Sequence, residues 1–180
     1  MPRRRFLLLV LALAVGLTPN LACAMKTDPA DPAAGALAAS PAGETRLGSA
    51  QVTVNLPAPS AERLSAATAR GKHLYLAVDG LQVLHPGAVY QVYLDLPTGS
   101  APDPQGPYFV GNLSLYTDPG RTADIRRTYD VTEQVKVLRQ RGEWKGPVRV
   151  TFVQERLGGE SNAGGPAAFL RFTQVSLVDR

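Results

Sequence analysis

The sequence predicts an all-β domain, an antiparallel β-sandwich or jelly roll of about seven strands with one short helix. Three observations predict this class. Apolar and polar residues alternate along several short segments, which is typical of half-buried strands. Seventeen glycines and 15 prolines interrupt the 180 residues at turn-like intervals. Only 19% of the residues are charged, which favours a turn-rich β protein over a helical bundle.

Composition also excludes several functions. Two histidines and one cysteine cannot build a multi-histidine copper centre, a multi-cysteine zinc site or an intrachain disulfide. The net charge of +4 includes three arginines at residues 3–5, and the remainder carries only +1. Because the bulk charge is close to zero, we expect no nucleic-acid partner and no electrostatic attachment to a membrane.

The first 24 residues have the three parts of a secretory signal peptide. Residues 3–5 are the basic region, residues 6–17 are apolar, and Ala22 and Ala24 stand at the two positions that a signal peptidase reads. The apolar segment is shorter than the roughly 20 residues that cross a membrane. The sequence therefore predicts an exported bacterial protein, periplasmic or secreted, that is cleaved after Ala24.

Cys23 allows an alternative. Residues 21–23 fit the end of a lipobox, although Asn20 is a poor residue at its start. Lipidation of Cys23 would make the protein a membrane-anchored lipoprotein, whereas cleavage after Ala24 would remove this cysteine. The sequence leaves both forms open.

Residues 25–48 are rich in alanine, proline and glycine and contain no aromatic residue. Such a segment buries too little apolar surface to offset the entropy lost on ordering, so it is predicted to be a disordered linker. The β domain is expected over residues 49–180.

The strands follow in order, separated by turn residues. Asp79 and Gly80 predict either a hairpin or a bulged continuation, and Gly111 within a strand predicts a bulge or a close backbone approach. The predicted strands contain Val52 and Val54; Leu74, Leu76 and Val78; Tyr90, Val92, Leu94 and Leu96; residues 108–116; Val148, Val150 and Phe152; Leu170 and Phe172; and Val175 and Leu177.

One helix is predicted between the strands. Asp130 and Glu133 have the spacing of a capping box, and Val131, Val135 and Leu138 share one helical face. Gly142 is expected to end the helix in the left-handed conformation.

The succession of residues 74–81, 90–94 and 108–114 resembles the C-terminal domain of tyrosinases and polyphenol oxidases. Residues 90–93 stand where that domain has its KFDV strand, and residues 108–113 stand where it has a strand reading roughly EFAGSF. The remaining correspondences are a helix at residues 130–141, a VTLVP-type strand at residues 150–153 and a closing V-x-I strand at residues 175–177. The resemblance spans residues 72–178.

In that family the chemistry belongs to a separate α-helical domain that holds two copper ions on six histidines. The C-terminal domain covers the copper site until the enzyme is activated. The resemblance therefore implies that this chain is not an enzyme and needs no cofactor, and that its partner is a separate copper oxidase. A loop side chain makes the shielding contact in the family, and Tyr108 and Phe109 are candidates here. The alternative is that both are ordinary core aromatics.

The other reactive residues have structural explanations. His73 and His85 show no metal-ligand spacing, and no serine stands in a G-x-S-x-G motif. The acids Asp79, Asp95, Asp130 and Glu133 could pair for catalysis, but turns and helix capping account for most of them. The basic stretch could be a docking surface or a solvated face, and it comprises Arg121, Arg126, Arg127, Lys136, Arg139, Arg141, Lys145 and Arg149.

A second functional class stays open beside the accessory role. An envelope module that binds a small ligand or glycan would present exposed aromatic side chains on a concave surface. Tyr75, Tyr93 and Tyr116 are the candidates for that surface.

Overall fold

A computed structural model describes residues 36–69, 71–85, 88–115, 125–144, 146–155 and 169–180. The predicted signal peptide, Cys23 and residues 25–35 lie outside the described residues. Among the helices that the structure describes, none is long and apolar enough to cross a membrane.

The described chain is mostly β-structure with two helices. The strands are β1 (Ala38–Ala39), β2 (Thr45–Leu47), β3 (Gln51–Leu56), β4 (Leu74–Val83), β5 (Val89–Leu94), β6 (Phe109–Ser114), β7 (Ile125–Asp130), β8 (Val148–Gln154), β9 (Leu170–Phe172) and β10 (Gln174–Asp179). The helices are α1 (Ala61–Ala69), between β3 and β4, and α2 (Thr132–Gln140), between β7 and β8.

The strands form two antiparallel sheets, as the predicted β-sandwich requires. The first sheet has the order β1-β10-β4-β9-β2, and β7 also pairs with β4. The second sheet has the order β3-β8-β5-β6. Neighbours in each sheet are mostly distant in sequence, so the sheets assemble through long-range pairing.

The core lies between the sheets and takes side chains from both. Phe152 of β8 packs against Phe172 of β9 with ring centroids 5.3 Å apart. The buried hydroxyl of Tyr90 donates to the Leu47 carbonyl at 2.7 Å, which joins β5 to β2. The side chains of Phe152 and Phe172 are essentially inaccessible to solvent, so the burial of apolar area holds the two sheets together.

Two predicted backbone features are confirmed. Strand β4 continues through Asp79 and Gly80 as a bulged strand, and its pairing register with β7 shifts between Val78 and Leu81. The register between β5 and β6 shifts at Val92, opposite Gly111, because Val110 is an extra residue. A side-chain carbon at Gly111 would lie 3.1 Å from the Tyr129 ring, so the close approach is also real.

The linker and strand-number predictions are wrong in part. Strands β1 and β2 lie within the segment predicted to be disordered, and Leu47 is completely buried. The folded domain therefore begins before residue 49. Helix α1 was not predicted, and ten strands are described where about seven were expected.

The capping box at α2 is also wrong. The helix begins at Thr132 with Val131 at the cap position, so neither Asp130 nor Glu133 stands where a capping box requires it. The Asp130 carboxylate accepts the Thr132 N–H at 2.9 Å, but Glu133 pairs with Lys136 at 2.7 Å instead of reaching back. The end of the helix is as predicted, because Gly142 has a φ of +67°.

Replacement of Gly80 by alanine tests the bulge. Gly80 has a φ of +65°, and an added side-chain carbon would overlap the side chain of Thr173. We expect Gly80→Ala to lower the free energy of unfolding by about 2–4 kcal/mol, from left-handed strain and the clash together. Urea denaturation measures this loss of stability, with the fluorescence of Trp144, the one tryptophan, reporting on unfolding.

Gly99→Ala is the matched control. Gly99 has a φ of +82°, and nothing lies within 4 Å of an added carbon. Conformational strain alone should cost about 1–2 kcal/mol there. Equal losses for the two variants would contradict a specific clash at Gly80.

Candidate functional site

Three loops meet at one end of the sandwich, which we call the loop end. They are residues 57–60 after β3, residues 95–108 between β5 and β6, and residues 141–144 with 146–147 between α2 and β8. The register brings them together, because Leu56 pairs with Val148 and Leu94 pairs with Val150. Loops held by a packed scaffold are the usual place for binding surfaces.

Two adjacent grooves run across the loop end. The first has a volume of about 470 Å³ and the second about 340 Å³, and Gly146 lines both. The first groove is lined by Asp95, Pro97, Tyr108, Arg141, Gly142, Glu143, Gly146, Pro147 and Arg149. The second is lined by Ala58, Pro59, Ala61, Leu64, Arg139, Trp144 and Gly146.

Asp95 and Arg149 fix the wall of the first groove. The Asp95 N–H donates to the Arg149 carbonyl at 2.7 Å, and the Arg149 N–H donates to the Asp95 carboxylate at 2.7 Å. The Arg149 guanidinium also donates to the Thr98 hydroxyl at 2.8 Å. Burial raises the pKa of Asp95, while the bond from the Arg149 N–H and the guanidinium charge oppose the rise.

Tyr108 and Glu143 form the opposite side of this groove. The Tyr108 hydroxyl donates to the Glu143 carboxylate at 2.8 Å. This bond is the main cause of the raised pKa of Tyr108, followed by desolvation and the Glu143 charge, with Arg141 opposing. Tyr108 therefore stays a neutral phenol that donates a hydrogen bond to a carboxylate.

The end of α2 places Glu143. The Glu143 N–H donates to the Leu138 carbonyl at 2.9 Å, and the Gly142 N–H donates to the Arg139 carbonyl at 3.0 Å. These two bonds around a left-handed glycine are a Schellman motif, which fixes the direction of the chain after the helix. Arg139 and Arg141 are both exposed beside it.

Phe109 faces the other way. Its ring packs edge-to-face on Tyr93 with centroids 5.6 Å apart, and its carbonyl accepts a bond from the Gln134 side chain at 3.3 Å. Because successive strand residues point to opposite faces, the two side chains predicted as one partner contact do not converge. Tyr108 lines the groove, whereas Phe109 is half-buried on the outer face of the second sheet.

The loop before Tyr108 is exposed and well braced. Residues 98–105 are all exposed, yet the loop makes its own hydrogen bonds. The Gln105 N–H donates to the Asp103 carboxylate at 2.9 Å, and the Gly106 N–H donates to the Asp103 carbonyl at 3.0 Å. Four prolines between residues 97 and 107 restrict the backbone further, so the tip is preorganised.

The other predicted residues lie away from the loop end. His73 bonds to the Asp130 carboxylate at 2.8 Å and stacks on Tyr75, and His85 contacts Phe169. No group of three metal-ligating side chains occurs in the part of the chain that the structure describes.

The aromatic surface expected for a ligand module is wrong at Tyr93, which is completely buried. Tyr75 is half-buried, and Tyr116 lies outside the described residues. Within the basic stretch, Arg126 pairs with Asp79 at 3.1 Å. Arg121 and Lys145 lie outside the described residues.

Sequence reasoning missed Trp144 and the roles of Arg141 and Arg149 in the first groove. The single signal was that Glu143 and Trp144 directly follow the helix-ending Gly142.

Replacement of Asp95 tests the groove wall. Burial raises the pKa of Asp95 above its ordinary value of 3.8, so the folded state holds this proton more tightly than the unfolded state. The resulting stabilisation is complete below about pH 3.8 and is lost as the pH rises through the folded pKa. Asp95→Asn removes the charge but keeps an oxygen for the Arg149 N–H. We therefore expect its stability relative to wild type to increase with pH.

Urea denaturation between about pH 4 and pH 8 measures this difference. Asp95→Ala is the control, because it removes the charge and the acceptor together: it should follow the same trend with pH as Asp95→Asn but be about 1–2 kcal/mol less stable than Asp95→Asn at every pH. A difference between Asp95→Asn and wild type that stays constant or falls with pH would show that the Asp95 pKa is not raised.

The fold is similar to part of solved polyphenol oxidases. Recombinant latent aurone synthase, a polyphenol oxidase, matches with a TM-score of 0.55 and 13% identity over 76% of this chain and 26% of that one. Latent aurone synthase from its natural source matches with a TM-score of 0.53 and 13% identity. The match covers 75% of this chain and 25% of that one. The chain thus spans about a quarter of the length of these enzymes. The predicted resemblance to the C-terminal domain is confirmed at the level of the fold.

Sequence comparison shows the family of the chain. No curated protein matches the chain. A family model described as a domain of unknown function (DUF7868) matches residues 34–163, which is more than half of the chain and includes all elements from β1 to β8. The chain therefore belongs to the family of this domain of unknown function, DUF7868.

Proposed function

We propose that this protein is a non-enzymatic accessory domain that shields or assists a separately encoded, tyrosinase-like copper oxidase. The observation that carries the proposal is the partial match to latent polyphenol oxidase. Three quarters of this chain matches only a quarter of that enzyme, as expected for a match to its C-terminal domain without its catalytic domain. The chain's two histidines could not supply the six copper ligands of such an oxidase.

The loop end is the surface proposed to contact the oxidase. It has an exposed, proline-braced tip at residues 98–105, two grooves, and a neutral Tyr108 at the base of the tip. A preorganised loop loses little conformational entropy when it enters a partner's cleft. The exposed guanidiniums of Arg139 and Arg141 suit an acidic rim on the partner.

The same proposal places the protein outside the cytoplasm, periplasmic or secreted. Residues 3–5, the apolar residues 6–17 and the small residues at 22 and 24 support it. Membrane attachment through Cys23 is the alternative form.

Processing tests this placement. We expect the exported protein to begin at Met25, and Cys23→Ala should change neither its mass nor its location, since Ala22 and Ala24 remain. Intact mass spectrometry of the purified protein and fractionation of the cells measure both. A lipid-sized mass increase on Cys23, lost together with membrane association in Cys23→Ala, would show the lipoprotein form instead.

An inhibition titration tests the accessory role. The partner is a copper-dependent phenol oxidase from the same organism that lacks a C-terminal domain of its own. We expect the full accessory chain to lower its rate of phenol oxidation and to saturate at one copy per oxidase. Tyr108→Ala should raise the half-inhibiting concentration by about tenfold, as removal of an interface aromatic commonly does.

Tyr75→Ala is the matched control, because Tyr75 is an aromatic outside the loop end. It should inhibit as the wild type does. An unchanged oxidation rate at saturating accessory chain, with no complex by light scattering, would contradict the proposal.

The first groove favours a second candidate, an envelope module that binds a small ligand or glycan. Its volume of about 470 Å³ lies within the range of ligand sites, and Arg141, Arg149 and Tyr108 offer it polar groups. Binding of small acidic sugars that is saturable without any protein and is weakened by Arg149→Ala would favour this candidate.

A further inference from the structure

Among the strands that the structure describes, β3 is an open edge of the second sheet. It pairs with β8 over all six residues without a register shift, and the sheet order places it at the end. Gln51, Thr53 and Asn55 are all exposed. An edge strand with free backbone groups is a template for pairing with another strand.

The other described edge strands have features that disfavour pairing with another chain, and β3 has none of them. Strands β1 and β2 have only two and three residues, and β6 carries the bulge at Val110. Strand β7 has a register shift and carries two arginines and an aspartate. Strand β3 contains no charge, no proline, no glycine and no bulge.

The direction of the free backbone groups follows from the pairing. The Gln154 N–H donates to the Ala50 carbonyl at 2.9 Å, so residue 50 is in a hydrogen-bonded pair with β8. Hydrogen-bonded and non-bonded pairs alternate along an antiparallel ladder. Residues 52, 54 and 56 therefore point their backbone groups at β8, while residues 51, 53 and 55 point theirs outward. The Ser49 hydroxyl donates to the Gln51 carbonyl at 2.8 Å, as an outward carbonyl allows.

The edge is complementary to itself. The side-chain chemistry of β3 is symmetric about Thr53. A valine stands on each side of Thr53, and a residue with a carboxamide side chain stands beyond each valine. An antiparallel two-fold pairing centred on Thr53 would set Gln51 opposite Asn55 and Val52 opposite Val54. The centre is one of the outward residues, so all three outward residues could bond to the second copy.

We propose that a second copy of this chain adds to β3 through this two-fold pairing, which joins the two four-stranded sheets into one. Thr53 pairs with Thr53 of the second copy, and each Gln51 pairs with an Asn55. Each of these pairs exchanges two backbone hydrogen bonds. The interface is isologous, the commonest form of homodimer.

Side chains favour the same register. Thr53 and Thr151 approach each other at 3.2 Å between their hydroxyls, so pairing would create a row of four threonines across the outer face. On the inner face the half-exposed Val52 and Val54 would cover each other. No like charges meet, whereas two-fold pairing of β7 would bring arginines close together.

Sedimentation velocity of the full purified chain at about 100 µM tests the dimer, a concentration that detects even weak association. We expect a dimer for the wild type. Thr53→Pro should raise the dissociation constant at least about tenfold, because proline removes an outward N–H while the ladder to β8 keeps all its bonds. The circular dichroism spectrum should be unchanged, as should the oxidase inhibition described above.

A charge pair tests the axis itself. Thr53→Lys and Thr53→Glu each place like charges opposite each other, so each variant alone should dimerise less than wild type. Their mixture should dimerise more strongly than either alone, by about fivefold, since only position 53 faces itself. Thr128→Lys, on an exposed threonine of β7, is the control and should leave the dimer unchanged.

A wild-type chain that is monomeric at this concentration would overturn the proposal. So would a dimer that Thr53→Pro does not weaken, or Lys and Glu variants whose mixture associates no better than each alone. These outcomes test pairing through β3 only. The inhibition titration described above tests the accessory function separately.

Discussion

The fold depends on the bulge in β4. The first part of this strand, Leu74–Asp79, pairs with β10, and the last part pairs with β9 through Gln82 and Val83. Thr173 separates β9 from β10 at the bulge, where its N–H and its hydroxyl both donate to the Asp79 carbonyl, at 2.9 and 3.1 Å. One irregularity therefore lets a single strand hold both halves of the first sheet. The lack of a side chain at Gly80 permits it, because the Thr173 side chain occupies that space.

The loop end depends on the second sheet in a similar way. Asp95 leaves β5 with a φ of +52°, and the paired bonds to Arg149 hold it there. At the other end of the long loop, the Leu94 N–H donates to the Tyr108 carbonyl at 2.8 Å, which holds that end against β5. Both ends of the exposed tip are thus tied to neighbouring strands. These bonds restrict the loop, and a restricted loop would lose little conformational entropy in the contact proposed for it.

The sequence was a good guide where burial alternates and a poor guide where backbone pairing alone decides. Strands such as β5 and β8 place every second, apolar side chain in the core, so their positions were predictable; these are Tyr90, Val92 and Leu94 in β5, and Val148, Val150 and Phe152 in β8. Strands β1 and β2 are too short to show a period, and their order comes from pairing with β10 and β9. Helix α1 buries only Leu64 and Ala67, so its alanine-rich sequence shows little apolar periodicity. Its start signals are Ser60, which accepts the Arg63 N–H at 3.2 Å, and Glu62 in the first turn. The grooves were beyond prediction because they join residues such as Asp95 and Arg149 that are distant in the chain.

The two proposed surfaces are compatible in one molecule. Strand β3 runs toward the loop end, since Ala58 and Pro59 of the second groove follow its last residue, Leu56, after Pro57. In an antiparallel pair the two β3 strands run in opposite directions, so the loop ends of the two copies would lie at opposite ends of the dimer. Neither copy would cover the other's grooves. A dimer joined at Thr53 would therefore present two loop ends facing away from each other, and each could contact an oxidase of its own. Dimerisation would then raise avidity toward clustered or dimeric oxidases without altering the contact that each loop end makes.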